Sequence, residues 1–389
     1  MRERHILSWL YVAIGLLVVF LVINYHLVTG SAAPIFDAER FFAPYQMLVG
    51  DYARAGRVLL WNPWTNGGSP DFAEPQVGAF SPVAVLVGAI AGGSSAGFRF
   101  YWLLIWFSAG LGVLVIGRHL RAPPWAAFVA ALGFLFSGFF IGHAEHVSWL
   151  HTVAALPYLI WRVDVALLQG RLRPAFEAGA IWGLSGLAGY PGLMFVTGTY
   201  ACLWAVGRWF CPETRNDRAR SVLGPAPTVA PATPKLGGTL RSLLIVLVTG
   251  IVVVSPTYVA FITESRGFSD RADPLPRAKA IGTNALHPRA LSTVFSPWIA
   301  TLPSAKVWPY TDLSSSSIYV GAAVVWLGLC ALLVRPRDRW RWWVLGLAIG
   351  GLALSLAKLC HSAAGCTMSY HLLGTSATLR CFECMRSSR

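Results

Sequence analysis

Five of the chain's 17 acidic residues, Asp37, Glu39, Asp51, Asp71 and Glu74, fall between Gly30 and Pro82. Carboxylates are expensive in hydrocarbon, so a cluster of them beside an apolar run marks a place to look for chemistry. Asp37-x-Glu39 has the look of a metal-binding pair. On a regular helix, however, i and i+2 point apart, so one ion joins them only if Asp37 lies outside the helix. Asp37 also suits a helix N-cap, worth about 1 kcal/mol, and Glu39 a solvated partner for Arg40. Asp71 and Glu74 sit in a turn-rich Gly/Pro stretch, where they either line a pocket or cap turns. Further on, His143, Glu145 and His146 lie at the end of an apolar run and suit a divalent metal, since the two His stand three apart, but no third strong ligand is evident. Arg266 and Arg271 suit a phosphate through the bidentate guanidinium fork, or are solvated loop charges. Cys381 and Cys384 form a lone C-x-x-C without the second pair that a zinc site needs.

These groups must be positioned by apolar elements. The 389 residues are 55% hydrophobic and only 12% charged, where soluble domains carry about 25% charged residues. The composition predicts an all-α, polytopic integral membrane protein. The 17 Trp residues fit anchors at the membrane interfaces. The net charge of +14 does not point to nucleic acid, because the basic residues sit mainly in short loops between apolar runs. The seven Cys are odd in number and irregularly spaced, which argues against a disulfide framework.

Ile6–Ile23 reads as an uncleaved first span behind a basic N-terminus. Residues 25–82 then form a first outer loop. The apolar run over 79–93 is too short to cross and is expected to be a re-entrant or interfacial helix packed on protein. Runs over 98–116, 123–142, 147–168, 174–187, 193–206, 240–262, 318–334 and 342–359 complete about nine spans, with the N-terminus inside and the C-terminus outside. The basic clusters Arg118/Arg121, Arg162/Arg171/Arg173, 208–241 and 335–341 all then fall on the inner side, as the positive-inside rule requires. The linker 208–238 is Pro/Thr/Arg-rich and is expected to be disordered. Residues 263–316 form a second outer loop. The domain 1–359 is followed by an outer tail, 360–389, whose abrupt Cys/Arg/Ser bias reads as a truncated or frame-shifted end.

The first outer loop resembles the YfhO-type bacterial membrane proteins of the GT-C glycosyltransferase superfamily. The resemblance rests on Asp37 after the first span, Phe42-Ala-Pro44, Gly56 followed by Trp61-Asn62-Pro63, Gly68-Ser-Pro70, and Gly78-Ala-Phe80-Ser-Pro82. It continues in order through Ser137-Gly138, His143/His146, Leu156-Pro157, Gly189-Tyr190-Pro191, Ser255-Pro256-Thr257, Ser265-Arg266 and Tyr319-Val-Gly321. Trp61-Asn62-Pro63 with Gly68 and Pro70 is its most specific part. The family more often carries a His and a Gln near Gly189, and its members are considerably longer.

The resemblance implies transfer of a sugar from a polyprenyl-phosphate donor to an envelope glycan or lipid, on the outer face of the bacterial cytoplasmic membrane. It implies an inverting, single-step displacement with Asp37 as general base and Glu39 beside it. Trp61, Asn62, Asp71, Glu74, His143 and His146 become candidates for substrate contact, and Arg266 and Arg271 for the donor phosphate. A divalent metal is an open possibility. For Trp61 and Trp64 the alternatives are loop packing and an interfacial anchor. The rival readings are a non-catalytic transporter or assembly factor and an inactive fragment. A transporter is expected to hold its ionisable groups near the midplane between repeats, whereas the acidic residues here cluster in outer loops. No P-loop or G-x-S-x-G is present to support a nucleotide-driven pump or a hydrolase.

Overall fold

The computed structural model describes residues 2–65, 67–211, 236–265, 267–268, 285–301, 311–334 and 339–356. Among these the secondary structure is helical, with only an isolated bridge between Asn62 and Ser69 outside the helices. The helices are α1 (Arg2–Ile23), α2 (Tyr25–Thr29), α3 (Ala43–Arg54), α4 (Pro82–Ala91), α5 (Ser95–His119), α6 (Pro124–Leu135) and α7 (Gly138–Gly142). They continue as α8 (Val147–Ala154), α9 (Leu156–Gln169), α10 (Leu172–Gly186), α11 (Pro191–Phe210), α12 (Leu236–Glu264), α13 (Ala322–Val334) and α14 (Arg339–Ser355). Four helical stretches are long and apolar enough to cross a membrane: Ser95–His119, Pro124–Gly142, Val147–Gln169 and Leu236–Glu264. Leu7–Ile23, Pro82–Ala91 and Ala322–Val334 are shorter apolar helices.

The starts of these helices follow from local chemistry. Ser94 caps α5 by accepting the Gly97 N–H at 3.0 Å, and Ser81 caps α4 with Pro82 in its first turn. The short apolar run forms α4, which packs on α3. Asp51 of α3 accepts the Gly93 N–H at 2.8 Å and so holds the turn that follows α4.

Two of the four long stretches are broken, and each break has a cause in the sequence. The first divides α6 from α7 at Ser137, whose hydroxyl caps α7. The break frees the Leu135 carbonyl, which takes the Trp106 indole N–H at 2.8 Å. The Gly138 N–H turns outward to the Tyr319 carbonyl at 2.6 Å. Backbone opened at membrane depth must find partners within the protein, and these two bonds supply them. The second break lies at Ala155, between α8 and α9, where Pro157 in the first turn of α9 has no N–H to continue the ladder.

Glycines set the close approaches. Gly138 and Gly142 turn a bare face to segment 314–319, and a Cβ on either would overlap the Ser317 or Ser314 carbonyl oxygen. That face is what brings segment 312–319 against α7. Between α10 and α12, Gly179 and Gly183 play the same part, in the small-xxx-small pattern of packed membrane helices. A Cβ at Gly183 would meet the Val253 Cβ at 2.6 Å and the Gly250 carbonyl at 2.7 Å. Gly183→Leu is therefore expected to lower stability by about 1–3 kcal/mol. Thermal denaturation in detergent, compared with Gly237→Leu in an open position, measures it.

At one end of α5 and α9 lies a buried ion pair. Asp164 of α9 accepts two hydrogen bonds from Arg208 of α11, at 2.5 and 2.8 Å. It also accepts the Trp204 indole N–H at 2.8 Å and lies 2.7 Å from His119 Nε2 at the end of α5. The Arg208 guanidinium lies over the ring of Trp340 in α14 at 4.6 Å. One carboxylate thus ties three helices, and its partner reaches a fourth.

Candidate functional site

The first loop approaches the bundle through an unusual turn. Phe36 adopts φ +54, a left-handed conformation rare for an aromatic residue, and its carbonyl accepts the N–H groups of Glu39 and Arg40. Asp37 follows it and leads into a π-helical turn, Ala38–Phe42, continuous with α3. The Asp37 carboxylate makes no capping hydrogen bond. It points across to α8, where its Oδ2 lies 3.5 Å from His146 Nε2.

Four segments meet there. His146 precedes α8, and its Nδ1 lies 3.2 Å from Nδ1 of His143, at the end of α7. Glu145, between them, stands 3.9 Å from His146 and accepts the Asp37 backbone N–H. From segment 312–319, Ser315 Oγ lies 3.5 Å from His143 Nε2, and Asp312 accepts the hydroxyl and backbone N–H of Ser314. Trp149 of α8 packs its ring on His143 at 4.3 Å and stacks on Tyr190, in the turn before α11, at 5.0 Å. The outcome is a carboxylate half open to solvent, two imidazoles behind it and an aromatic wall beside it. No group of three or more His, Cys, Asp or Glu side chains among the described residues is arranged to hold a metal ion.

The electrostatics follow burial. His143 is 4% exposed, and that burial, with His146 beside it, pushes its ring down to about 4, so it is neutral near pH 7. Burial raises the Glu145 carboxyl above its ordinary value. Burial alone would raise Asp312 as well, but the two Ser314 hydrogen bonds hold it below the usual carboxylate range. The His143 shift has a stability consequence. Between pH 6.5 and about 4 the unfolded chain binds a proton that folded His143 refuses. Stability is then expected to fall as pH drops through that window. His143→Phe should flatten this part of the melting-temperature profile, measured from pH 7.5 to 4.5.

The other residues of the first loop form a separate group. Asn62 is buried and builds the turn: it pairs with Ser69 through both backbone groups, donates to Thr65 at 2.9 Å and accepts the Trp64 N–H at 3.0 Å. Trp61 is half exposed; its ring covers Gly68 and meets the edge of Phe268. Gly68 is needed because its φ is +120 and a Cβ would strike the Trp61 indole. Trp64 is 84% exposed. Asp71 is 3% exposed; Ser69 donates to its Oδ1 at 2.5 Å, while Oδ2 has no hydrogen-bond partner. Burial raises its carboxyl against the opposing Ser69 and Asn62 hydrogen bonds. Glu74 accepts from the backbone and side chain of Gln76, whose own Oε1 takes the Ser148 hydroxyl at 2.8 Å.

The structure therefore brings Asp37, His143 and His146 together. Glu39, two residues on, is exposed and forms no ion pair among the described residues. Asn62, Asp71 and Glu74 make their polar contacts within the loop and its neighbours. Arg266 and Arg271 lie outside the described residues. Reading the sequence missed Ser315 and Tyr190, whose approach depends on distant glycines and turns. It also missed Asp164, whose place inside an apolar run is itself a signal for a paired or functional group. No protein-family model, functionally described protein or solved structure matches the chain.

Proposed function

We propose that the chain is a GT-C-type membrane glycosyltransferase with about nine spans, its N-terminus in the bacterial cytoplasm and the Asp37 site on the outer face. The observation that carries the reading is the solvent-open Asp37 carboxylate, free of any capping role and facing His146 beside an aromatic wall. A sugar acceptor needs such a group. As the acceptor oxygen attacks C1, its proton passes to Asp37, the new C1–O bond forms on one face, and the bond to phosphate breaks on the other. The polyprenyl phosphate leaves with the electron pair, and Arg266 and Arg271 are the proposed offsets for its charge. Trp149 and Tyr190 offer ring faces to an acceptor sugar. The donor is a polyprenyl-phosphate-linked sugar, and the acceptor an envelope glycan or lipid.

A transporter reading would draw on Asp164, an acidic group within an apolar helix. The four hydrogen bonds from Arg208, Trp204 and His119 make Asp164 a fixed tie rather than a relay, which favours the transferase. The test is transfer of radiolabelled sugar from a polyprenyl-phosphate donor by membranes containing the wild-type chain or Asp37→Asn. Equal transfer by the two would overturn the assignment of Asp37.

A further inference from the structure

The contacts behind Asp37 have a direction, and it can be worked out from donor and acceptor chemistry. An ionised carboxylate only accepts. His146 Nε2 faces the Asp37 Oδ2 at 3.5 Å; a bare ring lone pair there would be repelled, so Nε2 carries the proton. In a neutral imidazole the other nitrogen is then an acceptor. His146 Nδ1 meets His143 Nδ1 at 3.2 Å, so His143 must donate through Nδ1. His143 is buried and neutral, so its Nε2 is an acceptor. Facing it at 3.5 Å is the Ser315 hydroxyl, which must donate. Each ring fixes the tautomer of the next.

We infer that Ser315, His143 and His146 form a single polarised hydrogen-bonded chain that orients the Asp37 carboxylate, making Ser315 and His143 positioning residues for that group. The role assigned to the chain in catalysis rests on the transferase reading; the chain itself does not.

Three features of the site support this direction over the reverse. Glu145 Oε1 is 3.9 Å from His146 Nδ1, beyond hydrogen-bond reach, so it does not draw the proton to that nitrogen. Its carboxylate is occupied by the Asp37 backbone N–H. Asp312 is committed to Ser314 and leaves Ser315 to face His143. The three carboxylates near the two rings, Asp37, Glu145 and Asp312, would all favour an imidazolium. What opposes it is the His143 Nδ1–H aimed at His146 Nδ1: a second proton on His146 would set two donors against each other.

The segment bearing Ser315 reaches His143 only because Gly138 and Gly142 let its backbone lie against α7. Segment 312–319 is thereby joined, through two rings, to a residue of the first loop almost three hundred positions earlier.

The decisive measurement is the ring-nitrogen NMR shifts of the full-length protein, labelled with 15N-histidine and held in lipid nanodiscs. His143 is expected to be protonated at Nδ1 and His146 at Nε2. His143→Phe, which keeps an aromatic ring between Phe139 and Trp149, is expected to move the His146 Nδ1 shift, because that nitrogen loses its donor. His143→Asn, whose amide nitrogen stands where Nδ1 stood, should restore it, and Ser315→Ala should shift it less. A proton on His143 Nε2, or an unmoved His146 Nδ1 shift in His143→Phe, would overturn the chain. Transfer from a polyprenyl-phosphate-linked glucose, read on the same variants, separates the two ideas. With both ideas correct, His143→Phe lowers kcat about tenfold at unchanged KM and is rescued by Asn. The expected NMR pattern in a wild-type protein that transfers no sugar leaves the chain standing and removes the transferase reading.

Discussion

Asp37→Asn is expected to lower sugar transfer by roughly 10²–10⁴-fold while leaving the amount of folded protein in the membrane unchanged. The magnitude is that of removing a positioned general base. The amide has nearly the size of the carboxylate and still presents an oxygen to His146, but it cannot take the acceptor's proton. The absence of a folding defect follows from the surroundings. The carboxylate caps no helix and is 59% exposed, and an ion pair that open contributes about 0–1 kcal/mol. Loss of activity and loss of fold therefore separate cleanly at this position. Glu39→Gln makes the comparison sharper: Glu39 is exposed and two residues away, so transfer should change little. If Glu39→Gln were the inactive variant and Asp37→Asn the active one, the base would have been assigned to the wrong carboxylate. A metal-dependent mechanism through an Asp37–Glu39 pair would instead make both variants inactive and transfer sensitive to chelation.

How far the sequence could be read depended on how local the determining chemistry was. Apolar runs gave helices wherever a run was long. The brevity of the run over 79–93 foretold a short helix packed on its neighbour, and α4 is ten residues long. Four of the helical stretches have the length and apolarity of a span. The break at Ser137 was less visible, because the freed Gly138 N–H depends on a partner far away, Tyr319; the break at Ala155 has its cause close by, in Pro157. In the site, the i,i+3 spacing of His143 and His146 was legible, and so was the acidic character of the loop that holds Asp37. That they belong to one site was implied by the resemblance, but the left-handed turn at Phe36 through which they meet was not legible, since aromatic residues seldom adopt that conformation. Asn62 illustrates the opposite case. Its place beside Trp61 suggested a ligand contact, but a buried Asn in a tight turn answers first to the backbone groups around it, and here its side chain is used by Thr65 and Trp64.

Asp164→Ala is expected to destabilise the protein by about 3–5 kcal/mol, the range for breaking a buried ion pair by removing one partner. Asp164 is fully buried, and Arg208, Trp204 and His119 all direct polar hydrogens or ring nitrogens at it. Without the carboxylate, the Arg208 charge stays within the packed helices while its main offset is gone. The penalty then comes from that uncompensated charge more than from the lost hydrogen bonds. This distinguishes two readings of the cluster. If the ion pair is simply a tie between α9 and α11, Asp164→Leu with Arg208→Leu should recover most of the stability, because apolar side chains can replace a buried pair at little net loss. Thermal unfolding in detergent measures both. Transfer activity should follow the folded fraction in each, since the pair lies at the far end of the helices from Asp37. A stable double variant that had lost transfer would mean that the charges themselves serve function. The transporter reading would then regain its strongest argument, an acidic group within the helices whose charge is needed for more than holding them together.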